Sequence, residues 1–195
     1  MRNGMEHTMR RRLALALALL IGSLTGGVAL QPGAADAATC LSPVYAFYSN
    51  GTGKYVTTET TYGGSDNGML RAAHTWTGGL NQLFRFCRTG SVVNIGAFRS
   101  LANDLYVTAE ITKTDTNYGM LRARSTTIGG WETFTVFGDW PEVSTADVNL
   151  YSNANSRYVA TEVNYPGNRD GMLRARTSGA TGGWETYRII CISGC

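Results

Sequence analysis

One segment of this chain is written three times, and that repetition limits the fold more than any other feature. The second copy reads Gly119-Met120-Leu121-Arg122-Ala123-Arg124 and, after a short polar loop, Gly129-Gly130-Trp131-Glu132-Thr133-Phe134. The third reads Gly171-Met172-Leu173-Arg174-Ala175-Arg176 with Gly182-Gly183-Trp184-Glu185-Thr186-Tyr187. The first is looser: Gly68-Met69-Leu70-Arg71-Ala72-Ala73 with Gly78-Gly79-Leu80-Asn81-Gln82-Leu83. The leading glycines stand 51 and 52 residues apart. A fixed period of this size means supersecondary units that bury little alone and share one core when assembled.

Each copy carries the same series of strand signals. A short apolar run comes first: Val44 to Ser49, Ile95 to Ser100, Val148 to Ser152. An Asn- or Gly-rich turn leads to Tyr55-Val56-Thr57-Thr58-Glu59, echoed by Tyr106 to Glu110 and Tyr158 to Glu162. Tyr, Val and Thr in short runs bounded by turn residues are strand formers. The Leu-Arg-Ala-Arg segment and the Trp-Glu segment complete a set of four, giving twelve strands. No apolar stripe at helical spacing occurs in this region. Strand alternation puts Leu121 and Ala123 on one face and the arginines on the other, and sets Phe134 and Val136 beside Glu132. The expected core is therefore Phe98, Val107, Leu121 and Phe134, with Phe47, Val56, Leu70 and Leu83, and Leu150, Val159, Leu173 and Tyr187.

Residues 1–37 are expected to stand apart. Arg10, Arg11 and Arg12 precede an apolar run from Leu13 to Ile21, and a small-residue stretch ends at Ala35-Asp36-Ala37. This is the layout of a cleavable secretory signal, and the run is too short to span a bilayer. Its removal takes four of the 17 basic and two of the 14 acidic residues, so the formal charge falls from +3 to +1. A nearly neutral surface does not support a sequence-independent grip on nucleic acid. The domain is expected over residues 38–195, with repeats at about 40–90, 91–142 and 143–195. An exported monomer with no membrane contact after cleavage is the expected product. Cys40, Cys87, Cys191 and Cys195 give an even count, read as two disulfides in an exported chain. Three pairings are possible, and both bridges are expected to tie the chain ends to the repeat junctions.

Three copies of four strands, about 50 residues each, resemble a β-trefoil. Within that fold, Tyr106-Val107, Glu110, Leu121, Ala123, Gly130, Trp131-Glu132 and Phe134 resemble the wording of the fascin-like group, as do their third-copy equivalents. The first copy departs from it, with Leu80-Asn81 in place of Trp-Glu. The resemblance implies an all-β fold that presents binding surfaces. Actin bundling in a eukaryotic cytoplasm fits badly with an export signal and disulfides. The Gln-x-Trp signature of ricin-type trefoils is absent.

Catalysis has little to stand on. Ser-His-Asp and Cys-His arrangements need a histidine base, and His74, the only histidine past the signal, is a lone residue on a polar strand or loop, more often a surface position than a catalytic one. Glu132 and Glu185 are equivalent copies of one residue rather than an acid and a base in unequal settings. No metal-ligand spacing or phosphate-cradling glycine loop is present, and no cofactor is expected. Binding is the better reading. The loops 60–67, 111–118 and 163–170 each carry a tyrosine and an acid: Tyr62 with Asp66, Tyr118 with Asp115, Tyr165 with Asp170. Loops on a rigid scaffold are where binding concentrates, although Asp and Asn also make turns. Trp131 and Trp184, beside Arg124 and Arg176, offer a second candidate platform for a sugar face. A carbohydrate ligand is expected. A protein-binding or protease-inhibitor trefoil, or a fascin-like filament binder, is the alternative. The near-equal loop lengths count against a protruding inhibitory loop.

Overall fold

The computed structural model describes residues 38–140, 144–180 and 182–195. The expected signal segment, 1–37, lies outside them. The described residues form twelve strands: β1 (Thr39–Ser49), β2 (Lys54–Glu59), β3 (Met69–His74), β4 (Phe84–Arg88), β5 (Ile95–Ser100), β6 (Tyr106–Glu110), β7 (Met120–Ser125), β8 (Phe134–Phe137), β9 (Thr145–Ser152), β10 (Arg157–Thr161), β11 (Leu173–Thr177) and β12 (Thr186–Ser193). The helical turns among the described residues are 3-10 turns of three residues each. None of the described helices is long and apolar enough to cross a membrane.

Six strands close a ring. β1 pairs β4, β4 pairs β5, β5 pairs β8, β8 pairs β9, β9 pairs β12, and β12 returns to β1, all antiparallel. The remaining strands form three hairpins: β2 with β3, β6 with β7 and β10 with β11. The second strands of the hairpins meet in a triangle, with Met69 opposite Arg122, Met120 opposite Arg174, and Met172 opposite Arg71. Closure of ring and triangle leaves few free strand edges.

The glycine of the repeated motif makes that triangle possible. Ala123 N–H donates to the Gly68 carbonyl at 2.8 Å, Ala175 to Gly119 at 2.7 Å and Ala72 to Gly171 at 2.7 Å. The three glycines hold φ of +80°, +76° and +81°, which a side chain disfavours. A Cβ on Gly68 would also sit 2.5 Å from the Ala123 carbonyl oxygen and one on Gly171 2.8 Å from that of Ala72, and one on Gly119 would overlap that of Ala175.

The core follows the alternation with one correction. Phe47, Val56, Leu70, Phe98, Val107, Leu121, Phe134, Leu150, Val159, Leu173 and Tyr187 are all buried in one cluster. Leu83 is only half-buried, and Phe84 takes the expected place. The reason is that the Gly-Gly pair of the first copy stands one residue early, so that Gly79, not Gly78, matches Gly129 and Gly182. Gln82 N–H closes a turn on the Gly79 carbonyl, as Glu132 does on Gly129 and Glu185 on Gly182. Asn81-Gln82, not Leu80-Asn81, therefore stands where the other copies have Trp-Glu. Buried Gln82 accepts from Thr77 N–H at 2.8 Å and donates to the Thr75 carbonyl at 2.8 Å. Buried Glu132 accepts from Gly129 N–H and from the Thr108 hydroxyl, each at 2.8 Å. A second cluster, Met69, Met120 and Met172, fills the centre of the cap with Tyr62 and Tyr165 packed against it. Alternation did not foresee it, because each methionine is buried next to a buried leucine.

The disulfides are Cys40–Cys87 and Cys191–Cys195. The first ties the N-terminal strand to the end of the first copy, as expected. The second does not reach a repeat junction. The chain turns at Gly194, φ +76°, and brings Cys195 back onto Cys191.

Buried hydroxyls link the hairpins to the ring, with one gap. Ser49 Oγ lies 3.0 Å from Thr161 Oγ1, and Ser100 Oγ 2.8 Å from Thr58 Oγ1. Thr161 also meets Tyr187, a fully buried phenol that burial pushes above its ordinary pKa and keeps neutral. At the third position Ala109 replaces threonine, and Ser152 Oγ is buried without a partner. Ala109→Thr should supply the missing hydroxyl and add about 1 kcal/mol. A thermal melt should then rise by roughly 2–4 °C; an unchanged or lower midpoint would show that the site has no room.

Candidate functional site

The most repeated residues turn out to hold the cap together. Arg71 Nε donates to the Asp170 carbonyl, Arg122 Nε to that of Asn67 and Arg174 Nε to that of Tyr118, each at 2.9 Å. Each arginine thus clasps the loop of a neighbouring segment. Its other end reaches the carboxylate closing its own hairpin: Glu59 at 3.4 Å, Glu110 at 3.2 Å and Glu162 at 3.7 Å. All three glutamates are buried. Arg124 joins Glu110 at 2.5 Å and Arg176 joins Glu162. The Glu162 hydrogen bond holds the Arg176 guanidinium above its ordinary pKa. In the first copy Ala73 replaces this second arginine, and His74 Nε2 lies 2.8 Å from Glu59 instead.

The loop candidates are engaged in the same cap. Tyr62 contacts Arg71 through its hydroxyl, and its ring lies 5.8 Å from the Arg71 guanidinium carbon. Tyr165 accepts from Arg174 at 2.8 Å. Asp66 pairs with Arg169 at 3.1 Å, and Asp170 accepts from Asn164 N–H at 2.7 Å. Tyr62, Asp66 and Asp170 therefore gather on the seam between the first and third loops. Asp115 begins the 3-10 turn Asp115–Asn117, and Tyr118 beyond it is exposed. Trp131 is half-buried. Trp184 is 43% exposed and lies over Gly51, where a Cβ would meet its ring at 2.5 Å. The structure thus scatters these candidates over the cap and the ring wall. Among the described residues no group of His, Cys, Asp and Glu is placed to hold a metal.

A different set of residues converges on the outer wall. Side chains that alternation turns away from the core line up across neighbouring strands. One row runs Asp147, Arg188, Tyr48, Tyr55, His74 across β9, β12, β1, β2 and β3. The Tyr48 and Tyr55 rings are 5.2 Å apart, and Trp76 lies 4.9 Å from Tyr55. Trp76 is 40% exposed, and both tyrosines are half-buried. Beside them Arg188 Nε donates to Asp147 Oδ1 at 2.9 Å. That hydrogen bond holds the Asp147 carboxyl below the usual carboxylate range. Asp147 and Arg188, with Asp139, Thr145 and Ala146, also border an open depression of about 450 Å³. One end of the row is aromatic and the other is a charged pair next to open space.

The equivalent rows differ. One runs Ile95, Thr135, Tyr151, Tyr158, Thr177. Its tyrosines are 5.0 Å apart, with exposed Phe137 5.9 Å from each. The other runs Val44, Arg85, Arg99, Tyr106, Ser125. There Arg99 replaces the first tyrosine, stacks 5.6 Å over Tyr106 and pairs with Asp104 at 2.6 Å. The hairpin forms without an aromatic pair, so the pair is not a folding requirement. The signal for it was the recurrence of tyrosine at 48 and 151 with arginine at 99.

No family model matches the chain, and no curated protein sequence matches it. Solved structures do. A designed threefold-symmetric protein, ThreeFoil, is 16% identical, covers 75% of this chain and 97% of its own, and superimposes with a TM-score of 0.55. The BEL β-trefoil is 13% identical over 81% of this chain and 99% of its own, with a TM-score of 0.55. An endo-β-galactosidase of Clostridium perfringens that releases GlcNAcα1-4Gal is 10% identical and covers 78% of this chain at a TM-score of 0.56, but the match takes in only 33% of the enzyme. At these identities the likeness concerns fold alone, and the fold is all-β and trefoil-like.

Proposed function

We propose that this protein is a secreted, non-catalytic module that binds single chains of a neutral polysaccharide along the row Tyr48, Tyr55 and Trp76. In this reading residues 1–37 are a signal that is removed. Residues 38–195 form one trefoil of three repeats, near the fascin-like group in wording. Two disulfides and a near-neutral surface suit life outside the cell. The observation that carries the reading is an aromatic row on the outer wall beside a hydrogen-bonding charged pair, at a position where the fold tolerates arginine. Aromatic rings pack on the apolar faces of sugars, and Asp147 and Arg188 can accept from and donate to hydroxyls.

Ring orientation narrows the ligand. The Tyr48 and Tyr55 planes meet at 71° and those of Tyr55 and Trp76 at 45°. Rings so turned do not form a flat strip, so a twisted soluble chain fits better than a crystalline surface. Affinity electrophoresis in gels holding hydroxyethylcellulose, xylan, glucomannan, laminarin or mannan tests this. Retardation is expected in at least one gel, with binding to crystalline cellulose weak. Tyr55→Ala with Trp76→Ala should weaken retention at least tenfold, as loss of roughly 1.4 kcal/mol or more of ring contact implies. Trp131→Ala and Trp184→Ala should leave it within twofold. Free migration in every gel would refute carbohydrate binding.

A further inference from the structure

We infer that the chain carries two polysaccharide sites, not one and not three, and that it cross-links its ligand. The second site is the row Tyr151, Tyr158 and Phe137, and the inference rests on the carbohydrate reading above. The two aromatic rows share their layout. A tyrosine on a ring strand faces a tyrosine on the first strand of a hairpin, and an exposed aromatic flanks the pair: Trp76 in one, Phe137 in the other. Phe137 comes from β8 rather than from the end of β3, so the flank was supplied separately at each site. Two unrelated positions contributing an exposed ring to the same kind of pair is not what shared packing alone produces.

The third position lacks the pair. Arg99 covers Tyr106 and is itself held by Asp104, so the ring face is occupied from within the protein. The two open rows are centred on β1 and β9, which are separated by β12 in the six-stranded ring. They face outward in different directions, so separate polymer chains can occupy them together. Two sites on one rigid body raise the effective affinity for a polymer and join strands.

The second row is the more neutral. Its strand neighbours are Thr135 and Thr177, and the Thr135 hydroxyl donates to Asn153 Oδ1 at 2.9 Å. It has no counterpart of the Asp147–Arg188 pair. It should bind the same neutral sugars with fewer polar contacts and lower affinity.

Calorimetry with cellohexaose, xylohexaose and mannohexaose, using the oxidised protein, tests the count. Turbidity of the best-bound soluble polysaccharide tests cross-linking. The wild type should bind two hexaoses per chain and raise turbidity. Tyr55→Ala/Trp76→Ala should retain one weaker site, and Tyr158→Ala/Phe137→Ala one stronger site. Neither double variant should cross-link, and the quadruple variant should bind nothing. Tyr158→Phe keeps the ring and should keep both sites, which separates lost stacking from lost folding; a melt of each variant completes that control. One site in the wild type, lost with Tyr55 and Trp76 and indifferent to Tyr158 and Phe137, overturns bivalence while leaving the carbohydrate reading intact. Absence of binding to all three sugars and to the soluble polysaccharides overturns both.

Discussion

Gly119→Ala should remove about 3–5 kcal/mol of stability, while Gly167→Ala, also at positive φ, should remove only about 1–2 kcal/mol. Both glycines are left-handed, at +76° and +68°. A side chain at either costs the conformational term. The difference lies in what a Cβ would meet. Nothing lies within 4 Å at Gly167, whereas at Gly119 the new carbon enters the Ala175 carbonyl. That carbonyl belongs to the strand whose amide, Ala175 N–H, bonds Gly119 O at 2.7 Å. Backbone cannot swing aside as a side chain can, so relief requires opening the hairpin triangle. Urea denaturation of the two variants measures the contrast. Equal losses would mean that the triangle adds nothing to stability beyond the turn itself.

Reduction or removal of Cys40–Cys87 should cost about 4 kcal/mol, against about 2 kcal/mol for Cys191–Cys195. The first bridge closes a loop of 47 residues and the second one of 4, so the first restricts the unfolded chain far more. It also joins residues that already face each other in the β1–β4 register, so the folded state needs no rearrangement to accept it. The paired variants Cys40→Ser/Cys87→Ser and Cys191→Ser/Cys195→Ser, compared by thermal melts, check this. Equal destabilisation would show that chain entropy is not what the long bridge supplies.

Much of the scaffold was legible in the sequence because it depends on local rules. Gly68, Gly119 and Gly171 marked the repeat, and alternation placed Leu121 and Ala123 inward. Phe84 was missed because the Gly78-Gly79 pair stands one residue early against Gly129-Gly130 and Gly182-Gly183, and a one-residue slip in a strand exchanges its faces. The methionine cap was missed because strands that converge on an axis bury adjacent residues, which alternation forbids. The aromatic rows were missed for a different reason. Tyr48, Tyr55 and Trp76 sit on separate elements, and only strand pairing brings their rings together. The loops drew attention by composition, yet Tyr62, Tyr165, Asp66 and Asp170 are engaged with residues of the cap. In this chain the shared motif builds the frame, and the proposed ligand rows lie at departures among equivalent positions.

The indole N–H signals of the four tryptophans give the most direct test of that claim. Trp76, Trp131, Trp140 and Trp184 report on the aromatic row, the ring wall, the core and the Gly51 turn respectively. On titration with the best-bound hexaose, the Trp76 signal should move saturably while the other three stay in place. A shift of Trp131 or Trp184 with Trp76 unmoved would put binding on the repeated motif and contradict the assignment.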